Sequence, residues 1–121
     1  MQGRLAGLAL LAAIAWAAPS FAQTAAVTTN SSAVIAAGNT FQTILAAVPA
    51  LPVTRRSLTI QNNNTTTDNC WIFVGAGGAS KGTSILLPPA WSYSRYFPYV
   101  PADAIQATCA TTGNTIYVES Q

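Results

Sequence analysis

The chain has no histidine and only three carboxylates in 121 residues. General acid–base catalysis draws on histidine or on carboxylate pairs with separated pKa values. Asp68, Asp103 and Glu119 are scattered over a polar turn, a Pro-Ala-Asp turn and the C-terminal stretch, and they read as solvated turn or edge residues. Two cysteines without histidine cannot assemble a tetrahedral Cys/His site, so neither metal nor cofactor is expected, and no enzymatic activity. Charge is scarce as well, at 7% of residues against roughly 25% in ordinary soluble domains. A surface this neutral excludes strong steering toward nucleic acid or anionic lipid. Long apolar runs are missing too. The longest, Leu5 to Ala18, has 14 residues, short of the roughly 20 that span a bilayer.

That run has the form of an export signal. Arg4 precedes it, Pro19 breaks it, and Ser20-Phe21-Ala22 supplies small residues at the −3 and −1 positions. Cleavage is expected between Ala22 and Gln23, making residues 1–22 a signal peptide. The expected location is secreted or periplasmic, with no transmembrane anchor in the mature chain. The remaining 99 residues suit one domain. They carry Arg55, Arg56, Lys81 and Arg95 against three carboxylates, four cations less three anions, a net charge of +1. Thr, Ser, Asn and Gln must then form the polar surface, and low net charge favours self-association. In an exported chain the two cysteines, Cys70 and Cys109, read as one disulfide closing a loop of about 40 residues.

The mature chain reads as strands throughout. Residues 23–54 form an N-terminal arm with one or more edge strands. In Thr40–Ala47 the residues Phe41, Thr43 and Leu45 share one parity, and β-branched content favours strand. Residues 55–121 form the core of the domain. Ser57–Asn62 alternates, with Leu58 and Ile60 on one face. Asn62–Asn69 is a polar turn without an apolar anchor. Cys70–Val74 is an apolar run of strand length, expected to be central. Gly75–Gly82 is a flexible loop with Lys81 near its tip. Ser84–Leu87 is stopped by Pro88 and Pro89. Trp91–Tyr99 alternates strictly, and Ala104–Cys109 is a further strand. Thr112-Gly113-Asn114 signals a tight turn, expected to close a terminal hairpin with Thr115–Glu119. Short strands with no helix after the signal predict an all-β fold, a small antiparallel β-sandwich of immunoglobulin-like or jelly-roll-like type.

Most chemical motifs fail on inspection. The glycine cluster Gly75–Gly82 places Lys81 before Gly82 and is followed by a strand, so it is not a phosphate loop. Ser80 and Lys81 are sequence neighbours and do not make a nucleophile–base pair. Asn30, Asn63 and Asn64 fit the N-glycosylation acceptor pattern. The aromatic stretch is the one feature suited to binding. Trp91, Tyr93, Arg95, Phe97 and Tyr99 share one parity, with Tyr96 opposite. Aromatics and arginine are favoured interface anchors. The stretch reads as core closure, as a protein interface, or as a platform that stacks on glycan. Arg95 argues against burying the whole stripe, because an unpaired buried charge is costly.

The residues Arg56–Asn62, Ile72–Gly75, Ile85–Pro89, Asp103–Ala107 and Ile116–Glu119 resemble a small β-sandwich domain of bacteriophage virion accessory (decoration-type) proteins and uncharacterised secreted bacterial proteins. The resemblance covers about half of the chain and carries over no catalytic residue. It implies a self-associating or capsid-docking surface module. Virion parts assemble in the cytoplasm, and in this respect an export signal sets the chain apart. The function expected is a non-enzymatic secreted or periplasmic module with a structural or adhesive role. Its partners would be protein or an envelope surface, self-association included, with glycan a further candidate. Phage-type virion decoration and glycan binding are the alternatives.

Overall fold

The computed structural model describes residues 27–49 and 55–121. The signal segment and its cleavage site at Ala22 and Gln23 lie outside the described residues. Among the described residues nine strands follow in chain order: β1 Thr29–Asn30, β2 Ala33–Val34, β3 Gln42–Leu45, β4 Ser57–Asn62, β5 Cys70–Val74, β6 Ile85–Leu87, β7 Ser92–Tyr96, β8 Ile105–Cys109 and β9 Thr115–Ser120. A short 3-10 turn, Lys81–Thr83, precedes β6.

The strands form two antiparallel sheets. One runs β1-β9-β4-β7, with β2 also on β9; the other runs β3-β8-β5-β6. The pairing is nested: β5 with β6, β4 with β7, β3 with β8 and β2 with β9. A long hairpin folded over on itself produces this order, the winding of a double-sheet jelly roll. Of the two expected sandwich types, the jelly-roll-like one holds.

Period-two patterning supplies the core. Leu58 and Ile60 of β4, Ile116 and Val118 of β9, Cys70 and Ile72 of β5, and Ile105, Ala107 and Cys109 of β8 all point between the sheets and are buried. The N-terminal stretch is part of this body, because Ile35 and Ile44 are core residues. In β3 the buried residue is Ile44, not the parity of Phe41 and Leu45. Ile44 shares the inward parity of Gln42, which stands opposite Ala107, and a register irregularity between Thr43 and Leu45 then brings Leu45 opposite Ile105 and against the core.

The expected terminal hairpin does not form. β8 and β9 belong to different sheets, and residues 110–114 carry the chain across the end of the sandwich. Gly113 N–H donates to Ile35 O (2.8 Å), and Ile35 N–H to Asn114 O (2.8 Å), so the crossing is bonded to the β2–β3 connection. Gly38 packs so closely there that a Cβ would sit 2.7 Å from Ala110 O. The segment after β6 crosses in the same way, placing β7 in the other sheet.

The β4–β5 turn is anchored after all, by polar groups. Asn62 is fully buried, and Asp68 nearly so, which corrects the expectation of a solvated Asp68. The Asn62 carboxamide donates to Asp68 O (2.8 Å) and Leu87 O (3.0 Å). Its oxygen accepts from Asn64 N–H (3.0 Å) and from Asn114 Nδ2 (3.4 Å). Asp68 Oδ2 accepts from the Thr111 backbone N–H (3.2 Å) and hydroxyl. Three inter-sheet crossings thus meet at one polar plug. Cys70 and Cys109 stand directly opposite on β5 and β8 and are disulfide-bonded beside it, with Asn114 Nδ2 3.1 Å from Cys70 Sγ.

Candidate functional site

Strand order decides which apolar residues the sandwich leaves outside. β6 and β7 are the edges of their respective sheets, and a short Pro-rich segment joins them, so both open edges lie on one side. Six large apolar side chains are exposed there: Ile85, Leu86, Trp91, Tyr96, Phe97 and Tyr99. Trp91 and Tyr96 are 66% exposed, Phe97 70% and Tyr99 81%. Scattered single apolar residues on a surface are ordinary; a contiguous group marks an interaction site.

The aromatic stretch therefore divides. Tyr93 pairs with Ile60 on the core side and packs against the core. Arg95 has the same parity, opposite Leu58, but extends past the edge. Its guanidinium carbon lies 4.4 Å from the Tyr93 ring centroid, and Nη1 donates to Ser94 O (3.1 Å). Tyr96 points to the outer face with Ser92 and Ser94. Strict alternation ends there. Phe97 keeps the parity of the strand through its N–H on Arg56 O (2.8 Å), and a turn containing the cis Phe97–Pro98 bond, closed by the Tyr99 N–H on Tyr96 O (3.0 Å), takes Tyr99 out of it. Trp91 and Phe97 stand roughly 20 Å apart along β7. The aromatics are spread along an edge and do not form one flat platform.

Lys81 does not sit at a free loop tip. Its ammonium lies 4.0 Å from the Trp71 ring centroid on the outer face of β5 and donates to Asn39 Oδ1. This cation–π contact holds the Gly-rich loop against the sheet.

Two further features carry ionisable groups. Arg55 is buried, and its guanidinium donates to Pro101 O (2.8 Å), Asp103 O (2.9 Å) and Ala46 O. Burial lowers its pKa, and the nearby Asp103 charge opposes that shift. A cavity of about 290 Å³ beside it is lined by Leu45, Ala46, Ala47 and Val48 together with Thr29, Arg55, Ser120 and Gln121. On the outer face of β9, Tyr117 Oη donates to Glu119 Oε2. That hydrogen bond raises the Tyr117 pKa above 10.0, with burial and the Glu119 charge adding to it. The neutral phenol is the form the fold favours, so this contribution is complete below about pH 10 and is lost as pH rises through the higher folded value. In a phenolate absorbance titration Tyr117 is expected to ionise above the range of an ordinary tyrosine. Glu119→Gln should bring it back down.

Among the described residues no group of three or more His, Cys, Asp or Glu could hold a metal ion, and no helix is long and apolar enough to cross a membrane. In comparison with known proteins, the chain matches no family model, no curated protein and no solved structure. The edge formed by β6 and β7 is thus the candidate site on geometry alone.

Proposed function

We propose that this chain is an exported, non-enzymatic structural module that works by docking its β6–β7 edge onto protein surfaces at or beyond the cell envelope. The observation carrying this reading is the exposure of Trp91, Tyr96, Phe97 and Tyr99 along the edge strand β7 and the turns at its ends. The signal-like N-terminus and the disulfide fit an oxidising compartment. A jelly roll by itself does not select a function, since capsid and lectin domains share it. An edge of spread aromatics and aliphatics suits an extended protein contact better than stacking on a single sugar ring.

The test combines location with a variant. Intact mass of protein recovered from periplasm or medium should begin at Gln23. A Trp91→Ala/Tyr99→Ala variant should unfold within about 0.5 kcal/mol of wild type, as exposed substitutions do, yet lose co-sedimentation with isolated envelopes. Unchanged co-sedimentation would overturn the reading. A destabilisation of about 3 kcal/mol would instead make these residues core. The resemblance of Arg56–Asn62, Ile85–Pro89 and Ile116–Glu119 to virion accessory proteins makes virion decoration the second reading. Recovery from particles with Met1 intact would select it.

A further inference from the structure

Among the described residues the backbone of β7 has an unused side. Phe97 N–H donates to Arg56 O (2.8 Å), and Trp91 O accepts from Asn62 N–H (3.0 Å). The odd-numbered residues of this strand therefore bond to β4. The N–H and C=O groups of Ser92 and Ser94, and the N–H of Tyr96, face away from the sheet. Tyr96 O is taken by the turn, and Ser94 O by Arg95. A carbonyl has two lone pairs, so Ser94 O can accept a second donor.

Going beyond the docking role proposed above, we infer that this edge also pairs with a second copy of the chain, which competes with the envelope partner for the same residues. The two copies join β7 to β7 in antiparallel register about a two-fold axis at Ser94. Only even-numbered residues present free backbone groups, so even must face even. Centring on Ser94 pairs Ser92 with the other copy's Tyr96 and engages the whole strand. It also sets Trp91 opposite Phe97, and Tyr93 opposite Arg95. Aromatic pairs across strands are stabilising, and the guanidinium gains a second ring. The register one step further along would put Arg95 directly against Arg95, a like-charge pair that costs stability. The opposite step would place Tyr96 against Ala90, whose N–H is already held by Asn62 O and Asn64 O.

Area and charge agree with this. Each of the four exposed aromatics has roughly 100–200 Å² to cover. With part of Ile85 and Leu86, one copy offers roughly 600 Å² and the pair roughly 1,200 Å², above the roughly 1,000 Å² a specific interface needs. Between Ser84 and Ala102 the only charge is Arg95, so no other charge must be desolvated. The union makes one continuous sheet across both copies, with the two β6 strands meeting beneath the joint.

Sedimentation of the mature chain from low to high micromolar concentration should show a reversible dimer. Ser94→Pro removes an N–H that β4 does not use, a substitution that edge strands tolerate. It should raise the dimer Kd more than about tenfold while melting stays close to wild type. Ser94→Cys tests the register independently. Mild oxidation should cross-link it into dimers, whereas Thr59→Cys, one strand in, should stay uncross-linked because the two sites would be separated by three strand spacings, roughly 14 Å. A monomer at every concentration overturns the inference, as does a dimer that Ser94→Pro leaves intact or that cross-links through Thr59→Cys. The two proposals fail separately. A monomeric wild type that still binds envelopes through Trp91 and Tyr99 removes only the self-pairing. A β7-joined dimer whose envelope binding ignores those residues removes only the docking role.

Discussion

A Cys70→Ala/Cys109→Ala variant is expected to melt about 15–30 °C below the wild type. The disulfide closes a loop with a sequence separation of 39, worth roughly 4 kcal/mol in chain-entropy bookkeeping. In a domain of this size each kcal/mol moves the melting temperature by about 4–8 °C. The closed loop contains β6 and β7 entire, so without the bond the unfolded chain regains the freedom of both. Both sulfurs are fully buried between the sheets, and alanine also leaves a void there. Thermal melts of variant and wild type, with and without reductant, measure the effect. A shift below about 5 °C would show that the ladders of β8 and β9 carry the stability without the cross-link.

Asn62→Ala should cost about 2–4 kcal/mol, more than an ordinary buried hydrogen-bonding residue. The carboxamide uses both donors and its acceptor oxygen, and its partners come from the β4–β5 turn, the end of β6 and the β8–β9 crossing. Alanine strands Asp68 O, Leu87 O and Asn64 N–H at once, in a site with little access to water. Asn62→Asp is the sharper version, because it preserves shape but loses the donors and gains a charge. Burial would raise the folded pKa of that aspartate above its unfolded value of roughly 3.9. The variant should therefore be least impaired below about pH 4 and lose further stability as pH rises from there. Denaturant melts at acid and neutral pH give both numbers. Equal loss at the two pH values would place position 62 in contact with solvent.

Alternation made the inner strands legible. β4, β5, β8 and β9 lie within a residue of where Leu58/Ile60, Cys70–Val74, Ile105/Ala107/Cys109 and Ile116/Val118 place them. Compartment reasoning paired the cysteines. What the pattern could not carry was the partner of each strand. Thr112-Gly113-Asn114 has the composition of a hairpin turn, but the same residues serve a crossing, and local sequence does not distinguish them. Asp68 looked solvated because Asn, Thr and Asp turns usually are. Its burial depends on Thr111 being brought over it by the crossing. For the aromatic stretch, period two gave the parity of Tyr93 and Arg95, while exposure of Trp91, Phe97 and Tyr99 follows from β7 being an edge, a property of sheet order. The exposure of Ile85 and Leu86 has the same origin.

The nested winding bears on how the polypeptide reaches this state. β9 is the last of the described strands in chain order, yet it lies at the heart of its sheet, between β1 and β2 on one side and β4 on the other. Until it arrives, β1 and β2 have nothing to bond to, and β4 has only β7. A chain emerging from its N-terminus must therefore leave β1 and β2 unpaired, and one edge of β4 open, until β9 has emerged. Distant pairings of this kind are slow and expose the chain to aggregation. Protection of those strands before β9 emerges therefore bears on how much native material accumulates.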